Sequence, residues 1–310
     1  MHAKTDGLQH RMTPATWGLL ALLGLIWGGS FFFARIAIQH VPALTLVLLR
    51  VALAALALHI YVSGRYDIYS ELKARWPQFL LLGLINNAIP HTLIFFGQTQ
   101  IGAGLAAILN ATTPVWTVLI ANALTHDEKL SLAKIAGCLL GLAGTAVLIG
   151  PSALPGLQSG ESIPLWALLF PVLAAISYGF AATYGKRFRG LAAPVSAAGQ
   201  LTASTLIMLP LALVIDTPWQ LPAPPMTSVL AVLALALIST AYGYILFFRI
   251  MSRAGATNTS LVTLLVPPSA ILLGFLFLGE TLEPTDVAGM LLIAAGLVVL
   301  DGRILPLRRP

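Results

Sequence analysis

Apolar residues in this chain come in long unbroken runs rather than alternating stripes. Ten such runs stand at 15–37, 42–63, 77–97, 103–124, 131–150, 164–185, 194–215, 226–248, 257–279 and 285–303. About 20 apolar residues are needed for a helix to cross a bilayer, whereas a buried strand uses only about 4–8. Each run therefore predicts one membrane-spanning helix. The connections carry helix-ending chemistry, as in Pro151-Ser152-Ala153-Leu154-Pro155-Gly156 and Asp216-Thr217-Pro218-Trp219-Gln220-Leu221-Pro222. None is long enough to form a domain. The first run, Trp17 to Ala37, follows Lys4 and Arg11 and so resembles a signal peptide. It is as long as a full span and has further spans behind it, so an uncleaved first helix is expected.

Composition removes the soluble alternatives. Of 310 residues 58% are hydrophobic and 9% charged, against roughly 25% charged in an ordinary soluble domain, and the mean hydropathy is +0.89. The net charge of +6 would suit nucleic acid if it were clustered, but it forms no run or stripe, so no nucleic-acid partner is expected. Cys138 is the single cysteine, which excludes an intrachain disulfide and a cysteine-based zinc site. No cofactor or metal is predicted.

The basic residues instead report orientation. With a cytoplasmic N-terminus, Lys4, Arg11, Arg65, Lys73, Arg75, Lys129, Lys134, Lys186, Arg187, Arg189, Arg249, Arg253, Arg303, Arg308 and Arg309 all lie inside. Arg35 alone lies outside and Arg50 falls within a span. By the positive-inside rule both termini are cytoplasmic, and the expected location is a bacterial cytoplasmic (inner) membrane. Trp17, Trp76, Trp166 and Trp219 near span ends fit interfacial anchors or local packing equally.

The two halves repeat. Glu128-Lys129-Leu130 is followed by Gly137 and Gly144 with the spacing at which Glu280-Thr281-Leu282 is followed by Gly289 and Gly296, at an offset of 152. Gly102-Ala103 precede Pro114 as Gly255-Ala256 precede Pro267, and Gly29 and Gly179 hold comparable places in spans one and six. Duplication of a five-helix unit explains this ordered series. Because five is odd, the second unit enters the membrane from the opposite side. The expected fold is thus an all-α polytopic membrane protein of ten transmembrane helices in two inverted five-helix repeats, 15–150 and 164–303, a plan used by secondary transporters with the site between the repeats.

At these residues the chain resembles the EamA family of the drug/metabolite transporter superfamily. The carriers are Trp27-Gly28-Gly29-Ser30, Leu49-Arg50, Pro114 and the Glu128 and Glu280 repeats, and the likeness covers nearly the whole chain as two tandem units. It implies a ten-helix inner-membrane carrier of small metabolites, with the aromatic amino-acid exporter branch as the nearest comparison. One departure from symmetry stands out: the first repeat has Arg50 where the second has Gln200, at an offset of 150.

Polar residues inside spans are costly and mark candidate chemistry. Asn87, His91, Phe95 and Gln98 share one face of span three, and Asn110, Thr113 and Thr117 one face of span four, with Trp116 at its edge. Span six adds Ser177, Tyr178 and Tyr184, span eight Ser239, Tyr242 and Tyr244, and span nine Asn258, Thr259 and Thr263. Tyrosine and histidine here suit an aqueous cavity or a hydrogen bond between helices. From this set Asn87, His91, Phe95, Gln98, Asn110, Thr113, Trp116, Tyr178, Ser239, Tyr242 and Thr263 are the predicted substrate contacts. Arg50, Gly29, Pro114, Gly179 and Pro267 are assigned to gating or structure; Arg50 can serve as an anion contact or a tie to helix carbonyls, and each proline frees a carbonyl. Gly137, Gly141, Gly144, Gly289 and Gly296 predict contact between spans five and ten, the other use being a dimer seam; a monomer is expected.

All eleven acids, Asp6, Asp67, Glu71, Asp127, Glu128, Glu161, Asp216, Glu280, Glu283, Asp286 and Asp301, fall in connections, tails or span ends. A buried carboxylate is the usual proton relay, so gradient-driven passage of an amino acid is favoured over proton antiport and over lipophilic cations. No Ser/His/Asp set, metal cluster or phosphate loop supports an enzyme. The alternatives are export of other small metabolites or drugs, exchange of a phosphorylated metabolite, which would favour several buried Lys or Arg, or a sensor without flux.

Overall fold

A computed structural model describes residues 12–101, 103–125, 131–158, 164–278 and 284–301. The motif residues Glu128-Lys129-Leu130 and Glu280-Thr281-Leu282, Gly102, and the N- and C-terminal basic groups lie outside these residues. Among the described residues thirteen α-helices run in order: α1 (Pro14–Ala37), α2 (Ala43–Val62), α3 (Ile68–Gly83), α4 (Ile89–Gln100), α5 (Ala103–Asn110), α6 (Thr113–Leu124), α7 (Leu132–Gln158), α8 (Leu165–Gly185), α9 (Ala193–Leu211), α10 (Met226–Ala234), α11 (Gly243–Ser260), α12 (Val262–Leu278) and α13 (Pro284–Asp301). No strand occurs among the described residues. Among the described residues six continuous helical stretches are long and apolar enough to cross a membrane, and Thr113–Leu124, Leu132–Val147 and Val287–Leu300 are shorter apolar helices.

Several spans are built from broken pieces, and the breaks have local causes. Two π segments, Leu84–Ala88 and Leu235–Tyr242, join α3 to α4 and α10 to α11. A π turn bonds i to i+5, so it inserts a residue and leaves carbonyls in need of other donors. Span four divides between Asn110 and Thr113, with Pro114 in the first turn of α6, where a missing N–H costs nothing. Pro114 thus opens a helix rather than kinking one, while Pro267 and Pro268 lie inside α12. At Gly255 the backbone of α11 leaves helical geometry with φ 85°, a conformation glycine adopts without a Cβ penalty. The predicted connection at Pro151 to Gly156 is instead helical, since α7 runs on to Gln158. Each proline there lacks one N–H but holds a φ compatible with a helix.

Packing between the halves is reciprocal. Span one touches α12 and the α10–α11 span, and α8 touches the corresponding α6 and α4; α2 meets α9, and α7 meets α13. Such exchange of equivalent partners is what a two-fold relation between halves requires. The α7–α13 contact uses the glycine stripe within one chain. A Cβ on Gly144 would lie 2.7 Å from Ile293 N, and one on Gly296 would lie 2.7 Å from Gly141 N. Ends that the charge pattern assigns to one side also lie together. Arg35 Nη1 donates to Gln98 O at 3.3 Å, Asp216 Oδ2 accepts from Thr45 N at 2.7 Å, and Ser228 Oγ bonds His40 Nδ1 at 3.1 Å.

Candidate functional site

The orphaned carbonyls of the π segments shape the centre of the bundle. In the second segment Ser239 O accepts from Trp27 Nε1 at 2.9 Å. In the first, Ile85 O accepts from Ser177 Oγ at 2.6 Å and Asn86 O from Tyr244 Oη at 3.1 Å. Trp27 and Ser177 stand 150 residues apart in sequence, so equivalent positions of spans one and six each satisfy the other half's π segment. Gly243 leaves room for the indole, its Cβ position lying 2.7 Å from Trp27 Nε1.

Beside these bonds is a cavity of about 70 Å³, lined by Trp27, Ser30, Phe31, Ala34, Arg50, Asn86, His91, Ile94, Phe95, Asn110, Thr113, Tyr178, Ala182, Tyr244, Phe247, Ser260, Val262, Thr263 and Val266. At about 10–15 Å³ per water on this measure, it admits roughly five waters or the polar part of a small solute. Its aromatic wall is a cluster: the Trp27 ring centroid is 6.0 Å from that of Tyr244 and 5.7 Å from that of Phe247. Opposite in chemistry, His91 stacks 6.3 Å from Phe95 and meets Tyr178 edge-on at 6.3 Å.

Arg50 supplies the charge. It is 6% exposed, and its Nε donates to Thr240 Oγ1 at 2.7 Å, which in turn donates to Leu235 O of the second π segment. The one ion pair among the described residues is Arg75–Glu71 at 3.0 Å, far along the chain in α3. Asp67 caps α3 through Ser70 N and Asp216 caps α2, so no described carboxylate lines the cavity.

Six of the predicted contacts, His91, Phe95, Asn110, Thr113, Tyr178 and Thr263, meet at this cavity, and Arg50 joins them. The others are placed elsewhere. Asn87 Nδ2 donates to Ser204 Oγ of α9 at 2.9 Å. Gln98 is fully buried near the end of α4, outside the lining. Trp116 Nε1 bonds Thr112 Oγ1 at 3.3 Å, Ser239 Oγ bonds Ile26 O at 3.4 Å, and Tyr242 is 46% exposed on the outer surface. Gly29 is half-buried in α1, whereas a Cβ on Gly179 would sit 3.1 Å from Thr117 N. Trp27, Ser30, Asn86 and Phe247 line the cavity without having been singled out as contacts. Trp27 and Ser30 were visible as a motif; Asn86 is displaced from Asn87 by the π insertion.

The profile of the EamA-like transporter family matches residues 15–150 and again 165–300. The chain belongs to the EamA-like transporter family. Full-length relatives of this EamA-like transporter include a "probable terminal-alkyne amino-acid exporter" of Streptantibioticus cattleyicolor, 27% identical over 96% of this chain and 97% of the relative. A "probable amino-acid metabolite efflux pump" of Salmonella typhimurium is 27% identical over 91% and 93% of the two chains. An inner membrane transporter of Escherichia coli K12 is 26% identical over 96% and 95%. A solved crystal structure matches with a TM-score of 0.74 at 20% identity, covering 95% of this chain and 99% of that one, which shows the fold. The EamA-like transporter is accordingly a multi-pass inner-membrane protein that carries small metabolites.

Proposed function

We propose that this EamA-like transporter is a uniporter-type exporter of amino acids that works by alternating access across ten spans, with both termini cytoplasmic. The observation that carries the reading is the cavity itself, lined by residues at equivalent positions of both halves. At an offset of 153, His91 corresponds to Tyr244, Ile94 to Phe247, Asn110 to Thr263 and Thr113 to Val266, and all eight line it. A site between repeats is where a carrier with two gates must hold its solute. A single guanidinium with neutral polar neighbours suits a zwitterion better than a phosphate ester, whose two charges call for more cations. The relatives named as amino-acid exporters point the same way.

A transport screen in proteoliposomes tests the substrate: counterflow of at least one amino acid above empty liposomes is expected, and none across the panel would overturn the reading. Orientation is tested separately. With Cys138→Ser as background, Ser159→Cys should label from outside and Ser70→Cys from the cytoplasmic side; the reverse pattern would invert the topology.

A further inference from the structure

We propose that Arg50 is the anchor for the substrate's carboxylate, so that the cavity selects monocarboxylates and zwitterionic amino acids over amines and cationic amino acids. This rests on the transport reading of the same cavity and adds the chemistry of what it holds. A guanidinium in the bundle interior stays charged, and a charge there asks for a partner. The protein supplies one neutral bond, from Nε to Thr240 Oγ1. The fork of the two Nη groups bonds to no described residue and belongs to a side chain in the cavity wall. Two parallel N–H donors in that fork match a carboxylate bidentately.

Two further groups are incomplete in the same wall. His91 Nδ1 and Asn110 Oδ1 are buried without a hydrogen-bond partner, on residues only 3% and 6% exposed. Buried polar atoms are rarely left unpaired, and both belong to residues that line the cavity. Asn110 Oδ1 can only accept, which suits an ammonium. The faces of Trp27 and Tyr244 offer the same cation a second, weaker attraction. With no described carboxylate in the lining, a second positive charge on the solute would face Arg50 uncompensated.

The test uses the full-length protein in liposomes and paired probes that differ only at the carboxyl: phenylalanine and phenylalaninamide, leucine and leucinamide, and 3-phenylpropionate and its amide. Inhibition constants are read by competition and by thermal stabilisation of the purified protein. For the wild type, each acid should bind at least tenfold tighter than its amide. Arg50→Gln should weaken the acids at least tenfold and shift the amides by less than twofold, with Arg50→Lys in between. Equal loss for acid and amide, or no acid preference in the wild type, would overturn the anchor. Should Arg50→Gln fail to fold, the wild-type acid-to-amide ratio and Arg50→Lys decide the matter. If phenylpropionate shows the Arg50-dependent preference while no amino acid binds, the anchor stands and the amino-acid reading falls. If amino acids are transported with no such preference, the reverse holds. Binding of no probe would overturn both.

Discussion

The two halves of the molecule agree in frame and differ in lining. Both have a π segment in their third span, both satisfy it from the first span of the other half, and both close on each other through glycines of the fifth. Yet at matched positions the first half presents Arg50, His91, Asn110 and Thr113 where the second presents Gln200, Tyr244, Thr263 and Val266. Gln200 lies outside the lining, its Oε1 accepting from Nδ2 of the lining residue Asn86 at 2.9 Å. The charge and the amides of the lining thus come from the first half, while rings and aliphatics come from both. A like frame gives the two halves equivalent packing, the property that the proposed alternating access would use. An unlike lining gives the solute one orientation, because only one wall can hold its carboxylate.

The frame is where the largest effect is expected. Gly144 and Gly296 play the same part for opposite helices: a Cβ on Gly144 meets Gly289 O at 2.8 Å and one on Gly296 meets Gly137 O at 2.8 Å. Backbone atoms cannot swing aside as a side-chain end can. Gly144→Val and Gly296→Val should each cost about 3 kcal/mol, the upper end for overpacking, seen as loss of the monodisperse folded peak on heating. Similar losses would support equivalence; a tolerated valine at either site would show that the helices are not in backbone contact.

Within the lining, His91 and its neighbour Asn87 separate site from scaffold. His91 lines the cavity with an unpaired Nδ1, while Asn87 lies outside the lining with its Nδ2 bonded to Ser204 Oγ. His91→Ala should lower flux about tenfold, the worth of one solute hydrogen bond, without altering the melting temperature. Asn87→Ala should do the opposite, lowering stability by about 1 kcal/mol with flux retained. Identical behaviour of the two would mean that the π insertion does not sort this stripe.

That sorting shows what the chain's pattern reveals and what it hides. Apolar runs and the glycine spacing are local and periodic, so the helices, the repeat and the α7–α13 contact are legible directly. The candidate site is legible in part where helical periodicity holds: His91 and Phe95, four apart in α4, share the cavity wall. It fails across π turns, where Asn86 rather than Asn87 is the residue that aligns with His91, and Tyr244 rather than Tyr242 points inward. Nothing in the residue identities around 84–88 or 235–242 announces an extra residue per turn. The partners that stabilise it, Trp27 and Ser177, are remote in sequence and known only from the packing.

A smaller effect measures those partners. Trp27→Phe keeps a ring at the cavity but removes the bond to Ser239 O, and Ser177→Ala removes the bond to Ile85 O. Each should destabilise by about 1 kcal/mol, the net worth of one hydrogen bond, read as a shift in the thermal midpoint. The double variant should be additive, since one bond closes the second half's π segment and the other the first half's, with no shared partner. Strong non-additivity would mean that the π segments are one coupled unit rather than two equivalent ones.

The least effect is expected from the proton gradient. A proton-coupled carrier alternates a titrating group between the two sides, usually a carboxylate in the span interior. Here three of the described acids cap or pair near helix ends: Asp67 with Ser70, Glu71 with Arg75, Asp216 with Thr45. The charge that distinguishes the halves is a guanidinium, which does not titrate in the physiological range. Amino-acid flux down its own gradient should therefore be unchanged when the pH difference across the liposome membrane is collapsed with an ionophore. Strict dependence on that difference would place a proton acceptor in the lining, and His91, the one imidazole among the lining residues, would be the group to replace next.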